Sequence, residues 1–228
     1  MLLGDMQDWK PNVASIIEYA ADIYPESEVV SKLVSGQVHR TNYKEVCVRS
    51  RKLASKLVKD GYKQGDVIAT LALNTFRHLE AYYGVSGMGA VVHTLNFRLH
   101  PEQAVYIINH AEDKVIFVEA PFVPILEALQ ENLSTVEKYI VFCDKHEMPE
   151  STLKNCISYE EYIEDGDENF VWPDLPDNAA CGLCYTSGTT GNPKGVLYSH
   201  KSTILHAISA AGPKALKIEG DDSVLMVV

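Results

Sequence analysis

Short apolar runs alternate with longer stretches of helical period through the middle of this chain, and that alternation narrows the possible folds more than any other feature. Tyr43 to Lys59 carries Tyr43, Val46, Cys47, Leu53, Ala54, Leu57 and Val58 close to helical spacing. Lys44, Glu45, Arg49, Arg51, Lys52 and Lys56 are then left largely for solvent. Asp60-Gly61 stops that helix, and Val67 to Leu73 reads as a buried strand. His78 to Gly89 predicts a second helix and Ala90 to Leu95 a second strand. Pro101 stands where a first helical turn tolerates proline, so a helix is expected over Pro101 to His110. Lys114 to Glu119 is a third strand, Phe122 to Glu131 a helix and Lys138 to Phe142 a fourth strand. Strands separated by helices of this length imply parallel βαβ units, so the fold class is α/β with a largely parallel sheet.

From Asp144 to Pro176 the alternation lapses into acidic sequence, read as surface loops with one short helix near Ser158 to Glu164 and a solvated charge run. Ser223 to Val228 is strand-like and apolar, and is expected to be a strand that stops without a turn or polar tail. The expected division is an α/β subdomain over 1–178, including the acidic stretch 144–178, followed by a strand, loop and helix over 179–228.

The chain has 228 residues and a net charge of −11, which excludes a general affinity for nucleic acid or anionic membranes because both need a basic face. No apolar run approaches the roughly 18–20 residues of a membrane span. The N-terminus, with Asp5 and Asp8, lacks the basic-then-apolar order of a secretory signal, so a cytoplasmic location is expected. Cys47, Cys143, Cys156, Cys181 and Cys184 are an odd, scattered set, expected to be reduced thiols.

The most chemical stretch is Tyr185-Thr-Ser-Gly-Thr-Thr-Gly-Asn-Pro-Lys-Gly-Val196, which follows the apolar run Ala179 to Cys184. Gly188 and Gly191 let backbone N–H groups turn inward and approach an anion closely. Thr186, Ser187, Thr189 and Thr190 add hydroxyl donors, and Lys194 adds a compact positive charge. Such a loop suits a polyphosphate. It is not a Walker loop: counting from Gly188, Pro193 stands where that loop needs its second glycine, and Gly195 follows Lys194. No G-x-G-x-x-G run exists for a dinucleotide fold; Gly84, Gly87 and Gly89 have the wrong order and lie in a helical segment.

This stretch resembles, at every position, the phosphate-loop signature of the adenylate-forming, AMP-binding enzymes, which include acyl-CoA and aryl-CoA synthetases, luciferases and nonribosomal adenylation domains. The segments "NTFRHLEAYYGVSGMGAVVHTLNFRLHPEQ", "INHAEDKVIFVE" and "LCYTSGTTGNPKGVLYSHKSTILH" resemble the medium- and long-chain fatty-acyl-CoA synthetases most closely. The resemblance implies the large N-terminal domain of that fold, in truncated form, and two-step activation of a fatty acid with ATP, Mg²⁺ and CoA. It implies that the loop grips the β- and γ-phosphates and that Thr186 lies near the magnesium ion. The family's later elements have no counterpart in these 228 residues. These are the aromatic/His segment of the acyl pocket, the adenine-side Tyr-Gly-x-Thr-Glu, the ribose-binding Asp, the hinge and the catalytic lysine of the C-terminal lid domain. No catalytic residue is therefore assigned, and the 228 residues alone are expected to bind ATP weakly at most and to be inactive.

Three other readings stay open on the residues. A non-catalytic interaction or folding fragment would self-associate, as a homodimer or by domain swapping, through an exposed strand at Val224 to Val228. An aryl-CoA ligase would share the loop. Cys181-x2-Cys184 with His200 and His206 falls within a permissive zinc pattern, although the two histidines lie roughly 240° apart around an ideal helix. His78, His93, His100 and His110 have no nucleophile or orienting carboxylate at a recognisable spacing and read as structural. His100 is expected to cap a helix and Arg98 to fix a loop against that helix. His200, just past the loop, is singled out without a role.

Overall fold

The computed structural model describes residues 2, 4–6, 9–186, 192–220 and 222–226. Helix α1 (Ala14–Ile23) leads into an antiparallel hairpin of β1 (Glu28–Lys32) and β2 (Val38–Asn42), whose turn uses Gly36 at φ 88°. Asn42 then caps α2 (Tyr43–Lys59), its side-chain oxygen accepting the Glu45 N–H at 2.9 Å. The expected alternation follows as β3 (Val67–Leu71), α3 (Phe76–Gly87), β4 (Val91–Thr94), α4 (Pro101–Ala111), β5 (Val115–Val118), α5 (Val123–Leu129) and β6 (Lys138–Val141). The chain continues through β7 (Cys156–Ser158), α6 (Tyr159–Ile163), β8 (Ala180–Thr186), β9 (Lys194–Ser199) and α7 (His200–Ala211).

Seven strands form one sheet in the order β7-β6-β5-β3-β4-β8-β9, parallel except for the β8–β9 pair. Each parallel strand is covered on both faces, which accounts for its continuous apolar sequence. Leu53, Leu57, Ala81, Val85, Tyr159 and Ile163 bring α2, α3 and α6 onto one face. Ile107, Ile108, Val123 and Leu126 bring α4 and α5 onto the other. From β3 the chain runs to β4 on one side, whereas from the neighbouring β5 it runs to β6 on the opposite side. The direction of winding therefore reverses between β3 and β5.

Helix α3 tolerates its glycines because it packs too closely for side chains. A Cβ on Gly84 would sit 2.9 Å from the Ser50 carbonyl of α2, and one on Gly87 would sit 2.7 Å from the Trp172 ring.

Three sequence expectations need correction. The acidic stretch after Asp144 is not simply a solvated face: it contributes β7 to the sheet, and Glu160 accepts from both Arg49 and Arg77. Arg49 is correspondingly not a solvent residue, since its Nε donates to the fully buried Glu80 at 2.7 Å. The strand expected at Ser223 to Val228 is absent among the described residues: 223–226 are irregular and exposed, and the Met226 carbonyl accepts from the Asn74 side chain at 3.5 Å. An exposed edge of the sheet is instead formed by β9, a strand that the sequence does not separate from the loop.

Candidate phosphate-loop site

The phosphate-loop stretch is the connection of a β-hairpin. β8 enters the sheet beside β4, with Gly182 opposite Val92 and Leu183 opposite His93, and β9 returns antiparallel along its other side. Thr186 and Lys194 face each other as the last register pair, so the loop leaves and re-enters the sheet between them. Both are exposed, which leaves the Thr186 hydroxyl and the Lys194 ammonium available at the loop's base. Among the described residues no carboxylate pairs with Lys194. Ser187, Gly188, Thr189, Thr190 and Gly191 lie outside the described residues.

Tyr185, one residue before the loop, is held from three sides. Its hydroxyl lies 2.6 Å from His110 Nδ1 at the end of α4. Its ring lies 5.1 Å from that of His93, and Gly195 gives it room, because a Cβ there would come within 3.2 Å of Tyr185 Cζ. His93 is fully buried in β4 and bonds through Nδ1 to both carboxylate oxygens of buried Asp113, at 2.8 and 3.0 Å. Burial raises the Asp113 carboxyl, and the bond to His93 offsets part of that. Burial also raises the Tyr185 phenol, with Asp113 adding to it, so Tyr185 remains a neutral anchor. Two of the histidines read as lone residues therefore support the strand that launches the loop. The available signal was the placement of His110 and Asp113 on either side of the α4 terminus, which brings both towards β4 and β8.

On the far side of the hairpin, Ser199 caps α7 in a reciprocal box with Ser202. His200 is fully buried, and its Nδ1 accepts the Val13 N–H at 3.1 Å, tying the start of α1 to the foot of the hairpin. Its Nε2 has no partner, and burial pushes its pKa down to about 4, so the ring is neutral at pH 7. The ring thus joins the start of α1 to the start of α7.

The zinc reading fails on geometry. Cys181 Sγ lies 3.3 Å from Thr203 Oγ1, Cys184 Sγ lies 3.5 Å from Thr94 Oγ1, and His200 is taken by Val13. Among the described residues the four do not converge, and all five cysteines are free thiols. His78 bonds Thr70 and the Leu73 carbonyl. His100 is the N-cap residue of α4 but makes no side-chain cap bond, and the Arg98 guanidinium lies over the Phe97 ring at 4.9 Å.

A mostly parallel sheet whose winding reverses between β3 and β5, with helices on both faces, defines the class: a doubly wound α/β domain. The family follows from comparison. The family model described as "AMP-binding enzyme" matches residues 17–228, and the chain belongs to that family. It is 46% identical over 227 residues to a medium-chain-fatty-acid–CoA ligase of Ectopseudomonas oleovorans, covering 100% of this chain and 42% of the relative. It is 44% identical over 224 residues to a long-chain-fatty-acid–CoA ligase of Thermus thermophilus, covering 98% and 40%. The fold is similar to the crystal structure of a long-chain-fatty-acid-CoA ligase from Archaeoglobus fulgidus, with a TM-score of 0.76 and 23% identity over 92% of this chain and 41% of that one. The chain thus spans about two fifths of the length of the curated relatives it matches.

Proposed function

We propose that this chain provides the ATP-phosphate-binding part of an acid–thiol ligase that activates a fatty acid. The single observation that carries the reading is the hairpin base, which sets the Lys194 ammonium opposite the Thr186 hydroxyl at the mouth of a loop with the family's signature. In the proposed reaction the fatty-acid carboxylate attacks the α-phosphorus of ATP, an O–P bond forms, and the bond to the β-phosphate breaks to release pyrophosphate. The CoA thiol then attacks the acyl carbon and AMP leaves. Lys194 offsets charge on the departing pyrophosphate, with Ser187, Gly188, Thr189, Thr190 and Gly191 supplying hydroxyl and backbone donors. The Thr186 hydroxyl is a hard oxygen donor that fits Mg²⁺, whose charge would neutralise the polyphosphate when bound. The fatty acid as substrate follows the two relatives' names, and no observation favours an aryl acid over it. A cytoplasmic location and the division at residue 179 belong to the same proposal, and no helix among the described residues is long and apolar enough to cross a membrane.

The 228 residues by themselves are expected to bind Mg-ATP weakly and to release no pyrophosphate with a fatty acid present. Pyrophosphate or acyl-adenylate from the purified chain would show that its own residues suffice for adenylation.

A further inference from the structure

The carboxyl edge of the sheet has a second candidate site, separated from the hairpin by β4 in the strand order. A cavity of about 190 Å³ opens there beneath the β1–β2 turn, lined by Val34, Thr75, Arg77, Glu119, Phe142 and Glu147 among others. Thr75 follows β3 and Glu119 follows β5, so the cavity sits where the winding reverses between those strands. Doubly wound sheets place ligands at this point, because the connections diverge to opposite faces and leave a crevice outside the strand ends.

The lining charges select the ligand. Arg77 is buried, but its Nε donates to Glu160 at 2.8 Å and its Nη2 to Asp144 at 2.7 Å, so two carboxylates already match its charge. Glu119 is 3% exposed, and its Oε1 accepts from the Thr75 hydroxyl at 3.2 Å. Burial pushes its carboxyl up to about 7 even though Thr75, Arg77 and a Leu73 backbone bond pull it down. Among the described residues no Lys or Arg forms a salt bridge with it, Arg77 being bonded to Asp144 and Glu160 instead. Glu147 adds a second carboxylate at the exposed rim. An anion entering the cavity would meet Glu119 and Glu147 and find Arg77 already paired. A cation would meet two carboxylates, with Val34 and Phe142 against its hydrocarbon part. We infer that the crevice between the ends of β3 and β5 is a binding site for a small organic ammonium ion, held by Glu119 and distinct from the phosphate loop.

The test is an amide NMR titration of the full 228-residue chain with n-butylammonium, butyrate and n-butanol at matched ionic strength. Saturable shifts at Glu119, Ala120 and Cys143 are expected with butylammonium, none with butyrate, and binding at least about tenfold weaker with butanol. Glu119→Gln, an isosteric neutral change, is expected to weaken butylammonium about tenfold or more, whereas Lys194→Ala leaves it unchanged. Equal shifts from butyrate or butanol, no saturable shift from butylammonium, or unchanged affinity in folded Glu119→Gln would overturn the site. If Glu119→Gln fails to fold, Ser35→Trp at the exposed mouth decides: lost butylammonium binding supports the site and undiminished binding rejects it. Because the phosphate loop takes no part, failure here leaves the ATP proposal standing.

Discussion

Lys194 stands at the first position of β9, across the hairpin from Thr186, and in the proposed function its ammonium meets the outer phosphates of ATP. A charge-assisted hydrogen bond is worth about 1.5–3 kcal/mol. Lys194→Ala is therefore expected to weaken Mg-ATP binding, or turnover wherever the chain acts within a complete ligase, roughly 10–150-fold. Unchanged affinity and turnover would remove Lys194 from the site. His200 makes a prediction of opposite character, because its contribution is to stability. Its pKa falls from 6.5 to about 4 on folding, so the unfolded chain binds the extra proton between those values. The stability it supports is present above pH 6.5 and is lost as pH falls towards 4. Buried Glu80 and Glu119, both raised to about 7, act in the reverse sense over the same range, so wild-type stability alone does not isolate His200. The difference between proteins does: relative to wild type, His200→Gln should regain about 2 kcal/mol in urea unfolding between pH 7 and pH 5. A pH-independent difference would show that His200 is not buried as a neutral ring.

Elements with strong local signals were legible in the sequence, and those defined by long-range pairing were not. Helix α2 runs over the expected Tyr43–Lys59 because Asn42 caps it and Asp60-Gly61 ends it, and both signals are local. The parallel strands were readable as apolar runs because helices cover both faces. β9 escaped notice because Val196-Leu-Tyr198 is short, lies at the sheet edge and directly follows the phosphate stretch. The β1–β2 hairpin did too, since Ser31, His39 and Arg40 interrupt any apolar alternation. In the candidate site the ends of the loop, Thr186 and Lys194, are strand residues paired with each other, and the site residues expected between them lie outside the described residues. The support for Tyr185 was not legible, because His93, His110 and Asp113 meet it only after α4 has crossed the sheet. Close packing between elements sets a further prediction. Gly84→Ala gains about 1 kcal/mol of helix propensity but forces a methyl against the Ser50 carbonyl, which cannot swing aside as a side chain could. Overpacking costs about 1–3 kcal/mol, so a net loss of up to about 2 kcal/mol is expected. A more stable Gly84→Ala protein would show that α2 and α3 are free to separate.

For the whole molecule, the dominant features are a covered parallel sheet and, among the described residues, an exposed apolar edge strand at β9. Val196, Leu197 and Tyr198 are 40%, 62% and 45% exposed along β9, whose outer side has no partner strand among the described residues. An apolar edge of this kind pairs readily with another strand. Light scattering is expected to show concentration-dependent association of the 228-residue chain, and Leu197→Lys is expected to suppress it. A monomer at every concentration, or association unchanged in Leu197→Lys, would place any contact elsewhere. The central claim remains that the β8–β9 hairpin is an ATP-phosphate cradle, and an amide NMR titration of the chain with Mg-ATP tests it most directly. Weak, saturable shifts confined to the hairpin from Tyr185 to Val196, and diminished at least tenfold in affinity by Lys194→Ala, are the predicted result. Shifts elsewhere with none in the hairpin, or hairpin shifts that Lys194→Ala leaves intact, would contradict it.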